Sequence, residues 1–81
     1  MGTKTPKRPA KLAAKLLAIR NQLGLTQREI VKELKMESEL TQSQISAFER
    51  GQREPSLLTL LAYAQIAKVS TDALIDDKLD L

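Results

Sequence analysis

The sequence predicts an all-α fold of five short helices in one small domain. Three observations lead there. Leu12, Leu16, Ile19 and Leu23 recur at i, i+4, i+7 and i+11 and are followed by Gly24, an apolar helical stripe with a stop signal. TQREI at 26–30 and TQSQI at 41–45 open two segments in the same way. No stretch reads as a strand.

The elements follow in order. Residues 1–9, MGTKTPKRP, are basic, Pro-rich and without apolar side chains worth burying, and they read as a flexible arm. The first helix is expected over about 10–23, with Pro9 suiting its first turn. Thr26 begins the second, with Ile30, Val31 and Leu34 inward. Thr41 begins the third, with Ile45 and Phe48 inward and Gly51 as its stop. QREP at 52–55 is a turn, because Pro55 disfavours helix at Glu54. A fourth helix is expected over about 56–68, burying Leu57, Leu60, Leu61, Ala64 and Ala67. A short fifth follows Ser70, anchored by Leu74. The domain spans 10–76, and 77–81 is a tail.

Composition narrows the chemistry. A chain of 81 residues makes one domain. It has no Cys, which removes disulfides and thiolate metal sites, and no His, the commonest general base. One Phe, one Tyr and no Trp give no stacking platform for single strands. No apolar run is long enough to span a bilayer, so the chain reads as soluble and suited to a reducing cytosol. No motif supports an enzyme. Asp72, Asp76, Asp77 and Asp80 lack calcium-loop spacing and are expected to solvate the C-terminal end. No cofactor or metal is expected.

Charge is uneven. Residues 1–35 carry nine Lys or Arg against two Glu, while residues 36–81 carry four basic and eight acidic side chains. A basic front suits a polyanion on one side, or is a solubilising lysine-rich stretch.

The repeated opening is a capping box. Thr26 with Glu29, and Thr41 with Gln44, can each satisfy two backbone N–H groups at a helix start. The caps leave Gln27 and Gln42 unexplained. Each falls in an exposed first turn, beside free N–H groups that favour phosphate. A Gln amide can also pair with adenine through two hydrogen bonds in the major groove. The alternative is a tolerated polar residue. Two such helices behind a basic first helix favour nucleic acid.

The series LGLTQREI at 23–30, the Ile45–Gly51 run ISAFERG, Pro55-Ser56 and VSTDAL at 69–74 resembles the phage-repressor/Cro-like, or lambda-repressor-like, helix-turn-helix family over about residues 12–75. The resemblance implies a compact five-helix DNA-binding domain whose second and third helices form the helix-turn-helix, with the third in the major groove. By position it implies that Gln42, Ser43, Ser46 and Ala47 face base edges. Gln27, Gln44, Arg50, Gln52 and Arg53 would face phosphates, with Glu54 weakening the last of these contacts. It implies a structural salt bridge between Arg20 and Glu49. A helical wheel agrees on the faces: Ile45 and Phe48 point one way, and Ser43, Ser46, Ala47 and Arg50 the other.

One departure stands out. Leu34 and Ile45 are separated by ten residues, about four more than the family pattern. Helix two is expected to run on to about Met36 or Glu37, since four residues is close to one turn. Glu37 and Glu39 then point to solvent or a partner, or weaken DNA binding.

The expected function is a sequence-specific double-stranded DNA-binding transcriptional regulator, a repressor, bound as a homodimer to a pseudo-palindrome. The alternative is a protein-interaction module, an antitoxin or adaptor, with DNA binding secondary. Leu58, Ile66, Ile75, Leu79 and Leu81 either line a dimer interface or are scattered surface residues. The basic arm either adds salt-dependent DNA affinity or has no contact.

Overall fold

The computed structural model describes residues 9–81, and the rest of the expected arm lies outside them. Among the described residues there are five helices and no strand: α1 (Leu12–Leu23), α2 (Gln27–Glu33), α3 (Gln42–Glu49), α4 (Leu57–Ala67) and α5 (Thr71–Ile75). α1 is the hub. It packs on α3, α4 and α5, while α2 packs on α3 and α4 on α5. One core joins Leu12, Leu16, Ile19, Ile30, Val31, Leu34, Leu40, Ile45, Phe48, Leu60, Tyr63, Ala64 and Leu74.

The expected inward faces of α2, α3 and α5 are the buried ones. Two stripes differ. Leu23 is exposed, at the open end of α1 beyond Ile19. On α4, Leu57 and Leu61 are exposed while Thr59, Leu60, Tyr63 and Ala64 are buried. The α4 sequence is apolar on nearly all sides, so periodicity did not define one face, and packing on α1 and α5 chose another.

α2 ends at Glu33, earlier than expected. Lys35 adopts φ 57° and stops it without glycine. The Met36 N–H donates to Val31 O (3.3 Å) and the Lys35 N–H to Lys32 O (2.9 Å), the paired bonds of a Schellman ending. Residues 36–40 then form a tight turn in which Glu39 and Leu40 N–H groups donate to Met36 O. The added residues are therefore a turn anchored by half-buried Met36 and buried Leu40, not a longer helix.

The C-terminal residues are built into the domain. The buried Lys15 ammonium donates to the carbonyls of Ala73 (2.7 Å), Asp76 (2.9 Å) and Leu79 (2.7 Å). Asp77 accepts from the N–H groups of Ala10 (2.9 Å) and Lys11 (3.0 Å), capping the start of α1. These backbone bonds hold the Asp77 carboxyl below its ordinary pKa. Asp77 therefore caps α1, where the sequence suggests only solvation of the C-terminal end.

Candidate nucleic-acid interface

α2 and α3 start with complete capping boxes. Thr26 Oγ1 accepts from the Glu29 N–H (3.1 Å), and Glu29 Oε1 accepts from the Thr26 N–H (2.8 Å). Thr41 Oγ1 accepts from the Gln44 N–H (3.3 Å), and Gln44 Oε1 from the Thr41 N–H (2.9 Å). The caps fix the first turns, so Gln27 and Gln42 occupy equivalent helical positions. Both line one shallow depression of about 300 Å³, together with Ser43, Ser46 and Arg50.

Behind that surface is an ion pair. Glu49 accepts from Arg20 Nε (2.7 Å) and Nη2 (3.0 Å), with the two side chains 16% and 5% exposed. Arg20 Nη1 also donates to Leu25 O at 3.0 Å. The hydrogen bond to Glu49 is the main reason the guanidinium pKa is raised. Arg20 and Glu49 therefore link α1, the start of α2 and α3. Gln27 Nε2 completes the link by donating to Glu49 Oε1 at 3.1 Å. A carboxylate only accepts, so this bond fixes which end of the Gln27 amide turns inward.

Nothing in the sequence singles out Arg28. Its Nε donates to Gln42 Oε1 at 3.1 Å, across the helix-turn-helix. Guanidinium only donates, so the Gln42 amide is held with its oxygen toward Arg28 and its NH2 group free. Fourteen residues separate the two, and only the relative placement of α2 and α3 brings them together.

Other expected site residues are distributed. Ala47 is half-buried, and its carbonyl accepts from the Gln52 (2.9 Å) and Arg53 (3.3 Å) N–H groups. Arg50 is exposed and its Nε donates to Ser46 O at 3.4 Å. Gln52 and Arg53 are exposed on the following turn. Gln44 and Arg53 do not line the depression. They line a second groove on the other flank of α3, and the Gln44 carbonyl oxygen is already used by its cap. Glu37 and Glu39 are exposed, and Glu39 belongs to that second groove. The acidic C-terminal segment is held on α1, away from Ser43 and Ser46. Among the described residues no group of three or more His, Cys, Asp or Glu can hold a metal, and no helix is long and apolar enough to cross a membrane.

Two short helices with rigid caps, a fixed crossing and polar first turns form an arrangement found in known proteins. The helix-turn-helix family model matches residues 16–74. This chain belongs to the Cro/C1-type helix-turn-helix family. It is similar to the P22 c2 repressor, solved in complex with a synthetic operator: 26% identity over 82% of this chain and 94% of that one, with a TM-score of 0.70. It is also similar to the restriction-modification controller protein C.AhdI from Aeromonas hydrophila: 31% identity over 80% of this chain and 92% of that one, TM-score 0.60. A hypothetical transcription factor from Neisseria shares the fold at 22% identity, covering 93% of this chain and 85% of that one, TM-score 0.68. Comparison with curated proteins gave no match. The family is one of DNA-binding transcriptional regulators, and this Cro/C1-type member falls in that class.

Proposed function

We propose that this helix-turn-helix protein is a sequence-specific repressor that binds a pseudo-palindromic operator as a homodimer and acts by occupancy. The observation that carries the reading is the depression shared by Gln27, Gln42, Ser43, Ser46 and Arg50, which begins where the capped starts of α2 and α3 meet and runs along α3 to its end. Gln42 and Ser43 offer hydrogen bonds to base edges, Ser46 lies one turn on, and Ala47 offers a methyl for thymine. Gln27 spends one amide hydrogen on Glu49 and keeps the other for a phosphate oxygen. Arg50 and Gln52 supply backbone contacts around the end of α3, whereas Arg53 lines the second groove. Gln44 has only its amide NH2 left to give. Arg28 pins Gln42 from behind and so sets which groups of that amide face the groove. The family resemblance to a repressor seen on an operator supports the same reading.

The test is a gel shift on sequences selected from a random duplex pool. Gln42→Ala is expected to weaken specific binding by about 1–3 kcal/mol while non-specific binding and the fold persist. If Gln42→Ala and Ser43→Ala both bind every selected sequence as the parent does, the base-reading assignment fails. A second reading, an antitoxin or adaptor that mainly contacts protein, is favoured by one observation: Leu57 and Leu58 are 83% and 72% exposed. Under it the selection returns no enriched sequence.

A further inference from the structure

α4 carries more apolar surface than the core uses. Leu57 is 83% exposed, Leu58 72% and Leu61 43%. Leu57 and Leu61 stand one turn apart in one row, and Leu58 and Ala62 form the adjoining row. The Leu58 row borders a groove of about 620 Å³ whose apolar lining also includes Met36, Leu40 and Phe48. A protruding leucine therefore stands at the edge of an apolar hollow.

Charge on the rim indicates what fits. The rim carries both signs, Lys35 and Arg53 together with Glu39. A surface of one sign attracts a partner of the other sign and repels its own copy. In a two-fold contact residue i meets j and j meets i, so a patch that meets itself needs both signs. The position fits as well. Gln44 and Phe48 of α3 line this groove, whereas Gln42, Ser43, Ser46 and Arg50 line the depression on the opposite side of the same helix. A copy seated in the groove leaves the depression on the other side of α3 open.

We propose that the groove beside Leu58, with Leu57 and Leu61, is where a second copy of this chain docks, each Leu58 entering its partner's groove. The inference rests on the dimer reading above and adds the surface on which the copies meet.

Sedimentation equilibrium of the full chain tests it, together with binding to selected DNA carrying two half-sites or one. The parent is expected to self-associate, or to bind the two-half-site DNA cooperatively. Leu58→Asp is expected to weaken association about tenfold to a hundredfold and abolish that cooperativity. Its affinity for a single half-site should stay within about twofold, since the depression is not touched. Leu57→Asp, at a still more exposed position, should repeat the result if Leu58→Asp melts early. Leu81→Ser, on the C-terminal segment, should change neither readout. Parent-like association of both α4 variants overturns this surface and leaves the dimer reading standing. A parent that stays monomeric and fills two half-sites independently overturns both. Loss of association in the variants of a protein that selects no DNA supports the surface and ends the operator reading.

Discussion

Glu49 and Tyr63 show two ways of burying a polar group. The Glu49 carboxylate, 5% exposed, accepts from Arg20 twice and from Gln27 once. Removing Arg20 would leave that carboxylate buried without its cation, which is strongly destabilising. Tyr63 is fully buried, and its hydroxyl has no hydrogen-bond partner among the described residues. Burial first, and the nearby Glu49 charge second, push the phenol above its ordinary pKa, so it stays neutral. Tyr63→Phe is therefore expected to leave stability unchanged or raise it by up to about 1 kcal/mol in chemical denaturation. A loss larger than that would show that the hydroxyl is satisfied in solution.

At the scale of elements, what the sequence revealed were local signals. Thr26 with Glu29 and Thr41 with Gln44 announced their capping boxes, and Gly24 and Gly51 marked helix ends with φ 69° and 71°. The Arg20–Glu49 pair came from the family pattern, not from local chemistry. Lys35 and Lys68 gave no warning, because lysine is not a residue expected at φ 57° or 58°. Nothing in the sequence therefore marks the end of α2 at Glu33. Lys68 closes α4 with the same paired bonds, Val69 N–H to Ala64 O (3.0 Å) and Lys68 N–H to Gln65 O (3.3 Å). Lys68→Gly is expected to stabilise the domain by about 0.5–1 kcal/mol, since the relieved left-handed strain exceeds the added freedom of the unfolded chain. Equal or lower stability on denaturation would mean that the Lys68 side chain makes a compensating contact. The α4 stripe and the Arg28–Gln42 bond were illegible for another reason. Each depends on which face a neighbouring helix covers, and no spacing within one segment encodes that.

For the whole molecule, two carboxylates fasten helix starts, Glu29 within its own cap and Asp77 from the far end of the domain. Glu29 is lowered by the Thr26 N–H and hydroxyl, and Asp77 by the Ala10 and Lys11 N–H groups. A carboxyl whose pKa falls on folding contributes stability above its unfolded value and loses it as pH drops through the folded one. Thermal stability should therefore decline on acidification from about pH 4 downward, the ordinary carboxylate range. Asp77→Asn should make that decline shallower, and an unchanged slope in melts from neutral to acid pH would show that Asp77 does not contribute.

The ties at Lys15 and Asp77 join residues 58 to 67 positions apart. α1 is synthesised before its partners, and the Lys15 ammonium and the leading amides of α1 have their full set of acceptors only once residues 73–79 are in place. Until those residues have joined the fold, the opening helix exposes the surface that holds the finished domain together.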